Sequence, residues 1–203
     1  MIANLGKPYF LEEPGMGLKW HPCSAPQFLA ADAALHLKRE HKINFADVAK
    51  MEVSIPPQRY QRHYAAEVKT GLRGKFAINY VVALCFLDGK LEIATFTDEK
   101  TNRPEVQDAL SKVDVIVDES IPEPGPYCPV SVALKNGQRF SYTAKIAKGD
   151  PRNPMTENEV TEKFRSNART VLTAERAGNL VSAVQKLEVV DNLQTLAGLL
   201  VRQ

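Results

Sequence analysis

Apolar positions recur along the chain in two rhythms, and these predict the elements. Over 26–41, Phe28, Leu29, Ala30, Ala31, Ala33, Ala34, Leu35 and Leu37 cover nearly the whole circumference of a helix. A helix apolar on so many sides is buried on more than one. The segment 70–87 is almost entirely apolar from Phe76 onward and stops at Asp88-Gly89, which predicts the central buried helix of its domain. Met51, Val53 and Ile55 alternate with Glu52 and Ser54 as a half-buried strand ended by Pro56-Pro57. A short helix is predicted over 104–112, then a strand carrying Val113, Val115 and Val117. After the proline-rich turn 121–129, Val130, Val132 and Leu134 face one side. Asn136-Gly137 closes a hairpin, and Phe140, Tyr142, Ala144 and Ile146 face the same way on the return. Beyond the breaker run Gly149-Asp150-Pro151-Arg152-Asn153-Pro154, Thr156 and Glu159 form a capping box for the first of three amphipathic helices. Their stripes are Val160 and Phe164; Ala177, Leu180, Val181, Val184 and Leu187; and Leu193, Leu196, Ala197 and Leu200.

The expected fold is therefore α+β. An extended lead-in spans 1–18, a mainly antiparallel four-stranded sheet with buried helices spans 19–148, and C-terminal helices span 149–203. Three short helices with one apolar stripe each need a partner surface larger than the α+β unit offers. Composition changes little: of 203 residues 44% are hydrophobic and 25% charged, and the net charge of +2 implies no polyanionic partner. The three cysteines, Cys23, Cys85 and Cys128, are far apart with no C-x-x-C pair, so neither a disulfide framework nor an iron–sulfur site is expected, and a reducing cytoplasm fits. The first seven residues lack a signal-peptide pattern, and the apolar run over 80–87 is too short to span a bilayer.

Chemistry concentrates in Gly17-Leu18-Lys19-Trp20-His21-Pro22-Cys23, which brings a lysine, a histidine and a thiol within five residues just ahead of the first helix. Pro22 and Pro26 bias their predecessors toward extended backbone and hold the turn open. A helix starting at Pro26 would offer first-turn amides to a carboxylate or phosphate, with Lys19 as an added charge. The ordinary reading of a loop lysine is solvated surface. Asp32 lies within the apolar surround of the same helix and needs a partner, and the ordinary reading is a hydrogen-bonded structural carboxylate. For Tyr80 it is a core hydroxyl with a local partner. Arg59-Tyr60-Gln61-Arg62-His63-Tyr64, with Lys69, Arg73 and Lys75, interleaves cations with rings as a nucleic-acid surface does. Glu67 and the near-neutral total dilute that patch and no RNA-binding motif accompanies it, so no nucleic-acid partner is expected.

Six motifs in order resemble the MmgE/PrpD family, from about residue 5 to 200. They are Lys19-x-x-Pro22-Cys23; Thr70-Gly71-Leu72-x-x-Lys75-Phe76-x-x-x-Tyr80; Leu87-Asp88-Gly89; Phe96-Thr97-Asp98; Gly149-Asp150-Pro151-x-Asn153-Pro154; and Lys163-Phe164. The family includes 2-methylcitrate dehydratase, cis-aconitate decarboxylase and iminodisuccinate epimerase. The resemblance implies an α+β lid domain followed by helices that return to an all-helical domain. The N-terminal helical half, which holds the acidic and histidine residues of much of the proton transfer, has no counterpart here. The resemblance makes Lys19 the catalytic cation for a substrate carboxylate and Tyr80 a catalytic, cleft-lining donor of a hydrogen bond or a proton, and puts Cys23 in the pocket wall; His21, from the same heptapeptide, is expected to bind substrate alongside Cys23. Ser24 and Phe28 stand where cysteine or histidine is expected of relatives, which removes a titratable group.

The implied chemistry is cofactor-free proton abstraction beside a carboxylate of a small di- or tricarboxylate, ending in loss of water, loss of carbon dioxide or epimerisation, without a metal. The expected protein is the C-terminal part of such a lyase or isomerase, inactive alone and homo-oligomeric when complete. The competing expectation is a stand-alone module that reuses the lid fold and covers its helical stripes by self-association.

Overall fold

The computed structural model describes residues 6–201; residues 1–5 of the expected lead-in and 202–203 of the expected terminal helices lie outside them. The chain divides into two units, one up to Pro154 and one from Met155 on. In the first, a 3-10 turn Ala25–Gln27 opens α1 (Phe28–Glu40), and β1 (Val48–Ile55) runs into α2 (Pro57–His63). A single turn, α3 (Gly71–Gly74), precedes α4 (Ile78–Asp88). The 3-10 turn Ile93–Phe96, α5 (Asp98–Thr101) and α6 (Pro104–Ser111) lead to β2 (Val113–Val117), β3 (Cys128–Leu134) and β4 (Arg139–Ala144). The second unit holds α7 (Glu157–Ala168), α8 (Ala174–Gln185) and α9 (Leu193–Leu200).

The α+β class expected from the alternation is what the first unit adopts. Its four strands lie in the order β2-β1-β3-β4. The hairpin at Asn136-Gly137 makes β3 and β4 antiparallel, with Val132 opposite Phe140, and β3 runs antiparallel to β1, with Met51 opposite Val132. The β1–β2 pair is parallel, with Met51 opposite Val113 and Ile55 opposite Val117. A crossover carrying α2 to α6 returns the chain in its original direction, as parallel strands require. One face of the sheet is apolar through Met51, Val53, Ile55, Val130 and Val132, all buried. The other is polar: Lys50 Nζ lies 2.6 Å from Asp114 and 3.4 Å from Glu52, and Ser131 donates to Glu52 at 3.2 Å.

Against the apolar face pack α1 and α4. Ala30, Ala31, Ala33 and Ala34 are fully buried, and these small side chains let α1 approach α4 closely. Across the sheet edge His36 stacks on Tyr142 and His41 on Phe140, each pair with ring centroids 3.9 Å apart. Every residue of α4 from Ile78 to Phe86 is buried, and each such Val, Leu, Ile or Phe contributes roughly 1.5–3 kcal/mol. The helix is shorter than the 70–87 pattern predicts. Gly71 is pressed so closely on the backbone of Phe96 that a Cβ would lie 2.0 Å from its carbonyl oxygen, and Ala77 is extended (φ −101°, ψ 110°). The chain therefore breaks between α3 and α4, and the Lys75 carbonyl, which a continuous helix would bond internally, is left to accept the Ser24 N–H at 2.9 Å.

The basic, aromatic stretch after β1 is largely occupied by structure. Pro57 opens α2 at a position where its missing N–H costs nothing, and Tyr60 stacks on Tyr64 at 4.7 Å. Arg59 is buried and donates to the carbonyls of Pro26 and Pro124, clamping the 121–129 turn to the start of α1. Arg73 donates to Tyr64 O at 2.9 Å, and Lys69 pairs with Glu67 at 2.8 Å.

In the second unit the capping box forms as patterned: the Glu159 N–H donates to Thr156 Oγ1 at 3.2 Å and the Thr156 N–H to Glu159 Oε2 at 2.7 Å. Ala168, Ala177 and Leu180 are buried, whereas Val184, Leu193 and Leu200 are 54%, 64% and 60% exposed. That leaves apolar surface uncovered in this unit. Among the described residues no helix is long and apolar enough to cross a membrane.

Two glycines give opposite predictions. Gly149 has φ +89°, and a Cβ there would lie 1.9 Å from the Leu18 carbonyl oxygen. Gly149→Ala is therefore expected to destabilise the first unit by at least about 1–3 kcal/mol in denaturant unfolding. Gly178 lies inside α8 with nothing within 4 Å of an added Cβ. Gly178→Ala should stabilise by roughly 0.5–1 kcal/mol, and a loss of stability there would contradict the helix.

Candidate active site

The segment 18–24 has no regular structure of its own and is held by its neighbours at three points. At one end the Leu18 N–H donates to Gly149 O at 2.8 Å, and at the other the Ser24 N–H donates to Lys75 O at 2.9 Å. Between them His21, only 2% exposed, places Nε2 at 2.8 Å from Asp32 Oδ1 on α1. The second Asp32 oxygen accepts the Lys148 N–H at 2.7 Å. One carboxylate thus joins the turn, α1 and the 145–149 segment, which is the partner that Asp32 required.

Phe28 forms the floor. Its ring meets the His21 ring edge-on at 5.8 Å, and Lys19 Nζ stands 5.7 Å from the ring centroid. This is a cation–π contact of about 0.5–1 kcal/mol at an exposed position. Lys19 is exposed and has no ion pair among the described residues. It is thus a cation over an aromatic floor, set on a turn anchored at three points. Cys23 lies beneath, 2% exposed. Burial pushes its thiol up to about 12, with Lys19 opposing the shift and Asp32 adding to it. A thiol so placed is a wall and not a nucleophile.

Tyr80 is brought near this turn but not into the open. Its ring packs on Phe96 at 5.9 Å, and a Cβ on Gly74 would lie 2.9 Å from it. Its hydroxyl donates to Thr95 O at 2.6 Å, and burial pushes its pKa well above the usual tyrosine value, with Asp88 adding to the rise. The structure therefore places Tyr80 in the core, against Gly74, the neighbour of the Lys75 carbonyl that holds Ser24, where the resemblance implies a cleft-lining donor. The cause is the all-round burial of α4. Asp32 and the Lys148 amide are the members of the site that the spacing did not bring together. The signal available was a lone carboxylate among four alanines.

A surface cleft of about 490 Å³ lies elsewhere, between the end of α4 and α6, and includes Asp88, Lys90, Glu92, Glu99, Lys100 and Arg103. Its acids and bases pair at 2.9–3.0 Å, leaving no net charge to select an anion, and neither Lys19, His21 nor Cys23 lines it. Among the described residues no group of three or more His, Cys, Asp or Glu is arranged to hold a metal ion.

All three cysteines are buried; Cys128 is likewise pushed up to about 12 and Cys85 well above its ordinary value, in both cases chiefly by burial. At pH 8 the Cys23 thiol is therefore protonated. No cysteine should react with a thiol reagent until the first unit unfolds. Fast native-state labelling of Cys23 would contradict the packed floor.

The chain is 27% identical over 203 residues to cis-aconitate decarboxylase of Mus musculus and 29% identical over 202 residues to cis-aconitate decarboxylase of Homo sapiens. Each alignment covers 95% of this chain and 41% of the relative. A cis-aconitate decarboxylase-like protein, oryM, of Aspergillus oryzae is 22% identical over 211 residues, covering 98% of this chain and 43% of that protein. The chain thus spans about two fifths of the length of these curated relatives. Residues 21–188 match the MmgE/PrpD C-terminal domain, a match that starts at His21, two residues after Lys19, and takes in the rest of the turn, the sheet, α7 and α8. By that match the chain belongs to the MmgE/PrpD family.

Proposed function

We propose that this chain supplies the C-terminal-domain wall of a cofactor-free lyase or isomerase site for small di- or tricarboxylates, and that Lys19 is its carboxylate anchor. The observation that carries this reading is the exposed, unpaired Lys19 ammonium on a turn fixed by Gly149, Lys75 and Asp32. A fixed cation stabilises a substrate carboxylate, and the charge that develops beside it when a neighbouring C–H proton leaves, better than a mobile one does. His21 and Cys23 form the wall behind it, and Tyr80 acts as a positioning residue through the α3–α4 break. The names of the relatives favour a tricarboxylate such as cis-aconitate and loss of carbon dioxide over loss of water.

The site is completed by a helical half outside these 203 residues, which also covers the exposed apolar residues Val184, Leu193 and Leu200. Those residues support one competing reading, a self-associating module that buries them between copies. The two readings part on self-association: a chain that stays monomeric in light scattering counts against the module. The 203-residue chain alone is expected to turn over neither cis-aconitate nor 2-methylcitrate at a useful rate, and rapid turnover by it would refute the shared site. In the completed enzyme Lys19→Ala should lower kcat/KM by about 100- to 1000-fold. An unchanged rate would remove Lys19 from the mechanism.

A further inference from the structure

Asp32, itself partly exposed, is the one carboxylate in the stretch 30–34 of α1, whose other residues, Ala30, Ala31, Ala33 and Ala34, are fully buried. A charge in that setting is retained only if its oxygens are matched. Both are, and by groups of different kinds: Oδ2 takes a backbone N–H that can only donate, from Lys148, and Oδ1 takes His21 Nε2. Because an ionised carboxylate only accepts, the neutral imidazole must carry its proton on Nε2 and leave Nδ1 as a lone pair.

We propose that Asp32 is a positioning residue that sets the tautomer and the ring orientation of His21 beside the Lys19 anchor, so that the site offers an unprotonated imidazole nitrogen. The inference rests on the reading of Lys19 as the carboxylate anchor and adds a defined proton acceptor next to it. The charged and titratable groups on the elements that hold the imidazole are Lys19 and Cys23 on its own segment, Asp32 on α1, Lys148 on the 145–149 segment, and Lys75, whose backbone carbonyl holds Ser24, at the α3–α4 break. The Lys148 N–H is what makes the arrangement directional. In Asp32→Asn an amide oxygen kept toward that N–H turns the NH2 group toward His21. The imidazole must then accept at Nε2 and carry its proton on Nδ1. The substitution therefore preserves both contacts and inverts the tautomer, which a purely structural carboxylate would not reveal.

The test is nitrogen-15 NMR of the imidazoles of the 203-residue chain, with His21 assigned among His21, His36, His41 and His63 by His→Gln variants. At a pH where His21 is neutral, the native chain is expected to show the Nε2–H form and Asp32→Asn the Nδ1–H form, while Asp32→Glu keeps the native form. An Nδ1–H native His21, or an Asp32→Asn chain that folds with an unchanged tautomer, would overturn the proposal. Titration with citrate separates it from the reading beneath it: His21 resonances that move in the native chain but not in Lys19→Ala support the anchor. The expected tautomers with no response to citrate would sink the Lys19 site and leave the role of Asp32 standing. In the completed enzyme Asp32→Asn should cost at least about 100-fold in kcat with KM little changed, and full activity there would overturn the proposal.

Discussion

The first unit depends on the burial of α4. With every residue from Ile78 to Phe86 inside, this helix has no face to give to water. It must be enclosed by α1, the sheet, α6 and the α3 turn. Enclosure imposes the break before it: Gly71 goes under the Phe96 carbonyl, Gly74 goes under the Tyr80 ring, and no side chain fits at either place. The break in turn frees the Lys75 carbonyl, the acceptor that fixes Ser24. The position of the site turn is thus a consequence of how the core closes, several residues away.

The same logic explains why the site tolerates so much burial. His21 and Cys23 lie almost wholly inside, Asp32 is matched on both oxygens, and Lys19 alone of this group projects outward. A buried polar group is rigid when satisfied and costly when not. The turn therefore presents one cation from a backbone anchored at three points. In catalysis by charge stabilisation, the fixed geometry of the donor matters more than the number of donors.

Much of this fold was legible in the sequence because its signals are local. The alternation of Met51, Val53 and Ile55, the Asn136-Gly137 hairpin and the Thr156/Glu159 box each act over a few residues, and each appears in the structure. Signals that depend on distant partners were not legible. The α3–α4 break needs Phe96, the second hydrogen bond of Asp32 needs an amide 116 residues on, and the burial of Arg59 needs a carbonyl at Pro124. α2 was hidden because Pro56-Pro57 reads as a stop when only the preceding strand is considered, although Pro57 suits the first turn of a helix. At the site, the heptapeptide showed Lys19, His21 and Cys23 together. Only the fold shows that they differ in kind, one exposed cation above two buried groups.

The most direct measurement of the central claim is a crystal structure of the completed enzyme with a tricarboxylate bound. Lys19 Nζ is expected at about 2.7–3.2 Å from a substrate carboxylate oxygen, over the Phe28 ring, with the turn still held by Gly149, Lys75 and Asp32 and Tyr80 still on Thr95. A tricarboxylate bound away from Lys19, or a turn that leaves these three anchors to reach it, would contradict the claim that the fold presents a fixed cation to the substrate.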